Sequence, residues 1–264
     1  MSEELVRAKG DGRVSATMIN GDCLEQMKRI GDETIDLILT DPPYNLGLFM
    51  KGRDAGLQRM RDNFFAAKGW DDLSADEWAK MMDAFFAESA RVLKRGGSMI
   101  VFMAVIKVET VIDIAQRHGL YYKTTGTWHK TNPMPRNMNL HYVNSCESWV
   151  YFVNGTKTGT FNNGGKPMHD FMECGVAPKS ERAYGKHPTQ KPEALMMGFV
   201  ETLTNQGDVV LDPFMGSGTS GVVSVRAGRQ FIGIELSENY FAMANERVLA
   251  AESKQPTLWE VVSE

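Results

Sequence analysis

Val209-Val210-Leu211-Asp212-Pro213-Phe214-Met215-Gly216-Ser217-Gly218-Thr219-Ser220-Gly221 carries the strongest signal in the chain. Val209 to Asp212 is a short apolar run that reads as a buried strand. The glycines at 216, 218 and 221 form a G-x-G-x-x-G pattern opening a helix from about Ser217 to Ala227. A strand, a glycine turn and a helix N-terminus in that order present backbone N–H groups to a nucleoside-bearing cofactor. The next strand, Phe231-Ile232-Gly233-Ile234-Glu235, ends on a carboxylate placed for ribose hydroxyls. A helix from Glu238 to Ala251 follows, with Ser237 as its expected N-cap. The glycines alone do not distinguish a dinucleotide from S-adenosylmethionine. Asp212 favours the second, because a carboxylate before the turn repels a pyrophosphate but accepts hydrogen bonds from an ammonium group.

Working outward, Thr17–Asn20, Ile35–Thr40 and Ser98–Met103 read as further buried strands. Trp78, Met82, Phe85, Phe86, Ser89 and Leu93 share one face of a helix that Gly96-Gly97 is expected to end. Strand–helix alternation of this kind implies a parallel α/β sheet with right-handed crossovers. The 264 residues fit a single domain. Two polar stretches interrupt the alternation, 45–69 and 154–186, and loops of that length are functional or mobile as a rule.

The net charge of −4 argues at first against a nucleic-acid partner. The charge is segregated, however. Residues 45–69 carry five Lys/Arg against two Asp/Glu, and residues 117–191 carry ten against four. Residues 192–264 carry four against ten, so a basic working surface on an acidic body is expected. The longest apolar run, Met99–Ile106, is far short of the roughly 20 residues of a spanning helix. The charged N-terminus has no apolar segment of the secretory kind. Three cysteines, Cys23, Cys146 and Cys174, lack metal-ligand spacing, and their odd number excludes a paired disulfide framework. A reducing cytoplasmic setting is expected. The five histidines fit no compact ligand motif, so no metal is expected.

Directly after the strand Ile35–Thr40 stands Asp41-Pro42-Pro43-Tyr44. Open α/β sheets place ligands at such strand ends. The prolines stiffen the turn, which offers a carboxylate and a backbone carbonyl as acceptors beside a flat aromatic face. A planar amino group needs that set: two N–H bonds to accept and a ring to stack on.

With these residues in view, the chain resembles the amino-methylating DNA methyltransferases of the "beta" order, in which the catalytic tetrapeptide precedes the cofactor glycines. Asn20-Gly21-Asp22-Cys23 resembles the turn that holds the cofactor adenine. His187-Pro188-Thr189-Gln190-Lys191-Pro192 resembles the motif leading into the helix beside the methionine tail. Trp128-His129-Lys130-Thr131-Asn132-Pro133-Met134-Pro135 resembles the W-x-K-x-N-P-x-P stretch of adenine-specific members. The group often has His before the Glu that is here Glu147, where this chain has Cys146. No counterpart of the extra C-terminal DNA-binding segment of some cell-cycle members is expected.

The resemblance implies a Rossmann-like, S-adenosylmethionine-dependent sheet with helices on both faces and inserted target-recognition loops. It implies that Asp41 and Pro42 accept the hydrogens of the target amino group, with Pro43 shaping the turn and Tyr44 stacking on a flipped base. Asp22 and the backbone of Cys23 would bind the cofactor adenine, and Glu235 the ribose. Asp212, Phe214, Gly216, Ser217, Gly218 and Thr219 would line the methionine end, with His187, Thr189, Gln190 and Lys191 near the cofactor carboxylate. Target recognition is expected in 129–186, with Lys130, Asn132 and Arg136 touching DNA. Residues 45–69 are expected to form a mobile DNA-contacting loop carrying Lys51, Arg53, Arg59, Arg61 and Lys68. DNA is the expected partner, and a second copy of the chain and a cognate restriction endonuclease are further candidates. Asp41 at the head of the tetrapeptide favours adenine N6 over cytosine N4 or a protein glutamine. A dinucleotide-dependent oxidoreductase would leave Asp41–Tyr44 and His187–Pro192 unexplained, and a non-catalytic DNA-binding module would not need every site position intact.

Overall fold

The computed structural model describes residues 14–46, 73–133 and 142–253. Lys51, Arg53, Arg59, Arg61, Lys68 and Arg136 lie outside the described residues, and so does nearly all of the loop expected over 45–69.

Eight strands form one sheet in the order β1-β8-β7-β2-β3-β5-β4-β6. They are β1 (Ala16–Asn20), β2 (Ile35–Thr40), β3 (Leu93–Met103), β4 (Leu120–Lys130), β5 (Cys146–Asn154), β6 (Phe171–Cys174), β7 (Val209–Asp212) and β8 (Gln230–Glu235). β5 runs antiparallel to both its neighbours, β3 and β4, and every other pairing is parallel. The helices are α1 (Cys23–Met27), α2 (Ala75–Val92), α3 (Val108–Arg117), α4 (Glu193–Leu203), α5 (Thr219–Arg226) and α6 (Glu238–Glu252).

The sheet is apolar on both faces, which is why its strands read as runs rather than alternations. Met99, Val101 and Met103 of β3 with Val150 and Phe152 of β5 pack beside α1, α2 and α3 residues such as Met27, Phe86 and Ile114. Ile100 and Phe102 with Trp149 and Tyr151 pack on the other side with Leu195, Val222 and Val248 of α4, α5 and α6. Gly126 of β4 lies beneath the Trp149 ring, and a Cβ there would stand 2.0 Å from Trp149 Cζ2.

At the centre, β2 and β7 are adjacent and parallel. From β2 the chain crosses by α2 to β3 on one side, and from β7 it crosses by α5 to β8 on the other. The connections therefore diverge at the β2/β7 pair, and the crevice outside its carboxyl ends is the topological switch point where open α/β sheets bind ligands. Asp41 and Asp212 both stand there.

Two expectations are corrected. α2 ends at Val92, before Gly96-Gly97, because Leu93 already turns extended. The glycines instead serve an irregular start of β3, where the register against β2 shifts and Gly96, at φ +82°, meets the Gly159 backbone. The stretch 129–186 is not wholly an insertion either. β5 lies inside it and is hydrogen-bonded between β3 and β4, so that part is framework. Among the described residues, no helix is long and apolar enough to cross a membrane.

Candidate active site

The turn after β2 is fixed from outside. Trp78 Nε1 of α2 donates to the Pro43 carbonyl at 3.0 Å, and Asn45 Nδ2 donates to the Leu73 carbonyl at 2.9 Å. Ser74 and Glu77 form a reciprocal capping box that starts α2 and so places Trp78. Tyr44 packs against both core clusters, and its hydroxyl donates to Asp41 Oδ1 at 2.6 Å. Burial, with the Asp41 and Glu147 carboxylates nearby, pushes the Tyr44 phenol well above its usual range, so it stays a neutral donor. Lys191 Nζ donates to the other oxygen, Asp41 Oδ2, at 2.5 Å.

On the cofactor side, the carboxyl ends of β1 and β8 are locked together. Gly21 N and Asn20 Nδ2 donate to the Glu235 carbonyl at 3.0 and 2.7 Å. The Glu235 carboxylate accepts from Gly216 N at 3.0 Å and from Ser237 N at 2.7 Å, which ties the glycine turn to β8. Ser237 is the N-cap of α6 by backbone geometry, with no capping bond from its side chain. Asp22 Oδ1 caps α1, accepting from Leu24 N at 2.9 Å and Glu25 N at 3.2 Å. Cys23 is buried, and desolvation pushes its thiol up to about 12. Gly216 (φ +50°) lies under the His187 ring, where a Cβ would stand 3.0 Å from Nε2. His187 packs edge-on against Tyr240 of α6 at 4.4 Å between ring centroids. Burial and the charges of Lys191 and Arg247 push His187 down to about 4, so the ring is neutral at physiological pH.

Several expected positions differ. The Asp212 carboxylate turns inward, accepting from Thr40 Oγ1 at 2.7 Å, from Phe214 N at 3.1 Å and from the Ser220 hydroxyl. Three protein donors and near-complete burial make it an internal brace rather than a contact for a cofactor ammonium. Lys191, expected by the cofactor carboxylate, is bonded to Asp41 instead. Lys130 is not a free phosphate ligand, because its ammonium pairs with Glu147 Oε1 at 2.5 Å. The Asn132 side-chain carbonyl accepts from Val176 N at 2.8 Å and so pins the chain after β6. Gln190 is buried, donating to the Glu181 carbonyl at 2.9 Å, and its Oε1 has no hydrogen-bond partner among the described residues. Thr189 is exposed beside His187. Phe214 packs edge-on against Phe85 of α2 at 5.3 Å between ring centroids. Ser217 and Thr219 are buried, with their hydroxyls 3.3 Å apart.

The sequence reading missed Arg247. From α6 it donates to the Ser217 carbonyl at 2.5 Å and to Thr219 Oγ1 at 3.2 Å, and it pairs with Glu193 of α4 at 3.3 Å. Its place among Ala244, Val248 and Ala251 on one helical face was the available signal, since an arginine on an apolar face needs a buried partner.

Fold and site together define an α/β protein in which a glycine turn and the Asp41–Tyr44 turn meet at the switch point of the sheet. The chain belongs to the DNA methylase family of N6 and N4 type, whose model matches residues 35–246. It is 32% identical over 247 residues to the Type II methyltransferase M2.LlaDCHI of Lactococcus lactis subsp. cremoris, covering 89% of each chain. It is 31% identical over 245 residues to the Type II methyltransferase M2.DpnII of Streptococcus pneumoniae, covering 88% of this chain and 89% of the relative. A crystal structure of M1.HpyAVI in complex with SAM superposes with a TM-score of 0.68 at 27% identity, covering 88% of this chain and 98% of that one.

Proposed function

We propose that this DNA methylase transfers a methyl group from S-adenosylmethionine to the N6 amino group of a flipped-out adenine. The observation that supports it most directly is the Asp41 carboxylate standing at the β2/β7 switch point, near Asp212 at the head of the glycine turn. The site residues fit this cofactor chemically. Two carboxylates at neighbouring strand ends, Asp22 and Glu235, suit an adenine amino group and a ribose diol. The glycine turn of 216–219 under a neutral His187 suits an uncrowded methionine end, because any side chain at 216 would fill the space below the imidazole. In this reading the backbone of Cys23 also faces the adenine, and Phe214, Ser217, Thr219, Thr189 and Gln190 line the remainder. Asp212 keeps a place in the machinery as the brace beneath both loops.

The bound cofactor supplies an electrophilic methyl on a sulfonium. The chain supplies the rest. An exocyclic amino nitrogen is a poor nucleophile because its lone pair is delocalised into the ring. The Asp41 carboxylate and the Pro42 carbonyl accept its two hydrogens and pull it toward a pyramidal, nucleophilic form. Positioning and charge then do most of the catalysis, with no covalent enzyme intermediate. Extruding the base costs a few kcal/mol, and stacking on Tyr44 returns ~1–3 kcal/mol.

Asp41 at the head of the tetrapeptide and Trp128–Pro133 with the residues that follow support adenine over cytosine. The chain acts as one domain, and the parts of 129–186 outside the strands read the target sequence. The Type II names of the relatives favour a cognate restriction endonuclease as a functional partner. The test is incubation with isotopically labelled cofactor and unmethylated DNA, followed by nucleoside mass spectrometry. N6-methyladenine is expected. N4-methylcytosine alone would replace the proposed substrate, and no methylated nucleoside would overturn the proposal.

A further inference from the structure

Four charged side chains from four separate parts of the chain form a ladder behind the catalytic turn. Asp41 follows β2, Lys191 precedes α4, Glu147 lies on β5 and Lys130 ends β4. Lys191 Nζ lies 2.5 Å from Asp41 Oδ2 and 3.2 Å from Glu147 Oε2, while Lys130 Nζ lies 2.5 Å from Glu147 Oε1. The charges alternate and sum to zero. The Lys191 side chain is only 6% exposed and lies over the Phe102 ring, with Nζ 4.9 Å from the ring centroid. A buried ammonium persists only where carboxylates repay its lost hydration, so these two partners fix where it sits.

We infer that Lys191, held by Glu147 and in turn Lys130, is a positioning residue that orients the Asp41 carboxylate and keeps it in its acceptor-only form. With Tyr44 on Oδ1 and Lys191 on Oδ2, the carboxylate plane is set from both sides, and each oxygen keeps a lone pair for an amino hydrogen. An ammonium at hydrogen-bond distance favours the ionised carboxylate. A protonated carboxyl would turn one acceptor into a donor and lose the pull on the amino group. Burial works against the charged forms of Lys191 and Glu147. The Asp41 and Glu147 carboxylates nevertheless outweigh it and hold Lys191 above its usual range. Lys191 and Lys130 likewise hold Glu147 below its usual range.

This inference rests on Asp41 being the acceptor of the amino hydrogens, so Asp41→Ala is the control. The experiment measures kcat against pH at saturating cofactor and DNA, with the KM for DNA and the cofactor Kd, for the holoenzyme and three variants. Lys191→Met is expected to lose kcat by about tenfold or more, with both affinities within about twofold, and to move the acid limb up. Glu147→Gln is expected to move that limb down, because Lys191 then has Asp41 as its one remaining carboxylate partner in the ladder. Lys191→Arg keeps the charge and is expected to restore the wild-type limb. Tyr44 and Asp212 are the other titratable groups that feel the Asp41 charge, and His187 feels that of Lys191. Because His187 responds to the Lys191 charge, the same shifts must recur in a His187→Gln background. Wild-type kcat and pH profile in Lys191→Met, or a defect confined to cofactor Kd, would overturn the inference. If Lys191→Met fails to fold, the downward shift in Glu147→Gln is still required, and its absence overturns it. An active Asp41→Ala would instead overturn the assignment of Asp41 itself.

Discussion

Thr40 and Asp212, 172 positions apart, are joined by a 2.7 Å hydrogen bond from Thr40 Oγ1 to Asp212 Oδ1. Thr40 immediately precedes the Asp41–Tyr44 turn and Asp212 opens the glycine turn. The bond therefore ties the two turns to each other from below. Phe214 N and the Ser220 hydroxyl share the same carboxylate and extend the brace along the glycine turn.

Burial pushes the Asp212 carboxyl up to about 7, with the Ser220 and Thr40 hydroxyls pulling it back. Between about pH 4 and pH 7 the folded protein therefore holds a proton that the unfolded chain has lost. Its contribution to stability is full below about pH 4, declines as pH rises toward 7 and is flat above. Melting curves of wild type and Asp212→Asn across pH 5–8 should show wild type losing ground up to about pH 7. A constant gap between the two would contradict this.

His187 behaves in the opposite sense. Its folded value of about 4 lies below the unfolded 6.5, so its stabilisation is present above pH 6.5 and is lost as pH falls toward 4. Nuclear magnetic resonance of the ring should find it titrating near pH 4. A midpoint of 6 or above would place the ring in water rather than over Gly216.

Gly218 has φ +75°, and a Cβ there would stand 2.9 Å from Ala244 Cβ and 3.1 Å from its Cα. The constraint is thus close packing of the turn on α6, in addition to the left-handed backbone. Gly218→Ala should cost about 2 kcal/mol, from ~1–2 kcal/mol of backbone strain plus the clash. Gly218→Val should abolish cofactor binding by displacing the turn. Calorimetry with S-adenosylmethionine giving wild-type affinity in Gly218→Val would refute the assignment of this turn.

Arg247→Met removes a buried cation, leaves Glu193 with Arg226 as its ion-pair partner among the described residues, and leaves the Ser217 carbonyl without its arginine donor. Breaking a buried pair from one side costs about 3–5 kcal/mol. The partial exposure of Glu193 places this case near the lower end. Denaturant unfolding checks the loss, and cofactor affinity should weaken with it because Ser217 is freed.

The strands at the centre of the sheet were legible because burial on both faces makes β2, β3, β7 and β8 continuous apolar runs. β4 was not, since Tyr121, Lys123, Thr124 and Thr125 give a polar strand whose apolar residues are sparse. β5 was masked by its position inside a basic, glycine-bearing stretch, although Trp149–Val153 is apolar throughout. Asp41–Tyr44 and the 216–221 glycines were legible from motif and strand context. The orientation of Asp212 and the partners of Lys191 and Lys130 were not, because a sequence shows which charges exist but not which strand ends meet. Asp41 and Lys191 are 150 positions apart and come together only through the order of the sheet.

The central claim is that Asp41 acts on the amino group and leaves cofactor binding to the glycine turn. Asp41→Asn tests it most directly, since it keeps the shape of the side chain and removes its charge. The account predicts cofactor affinity by calorimetry within about threefold of wild type, with single-turnover methyl transfer to DNA reduced by a factor of about 100 or more. Transfer within tenfold of the wild-type rate would contradict it.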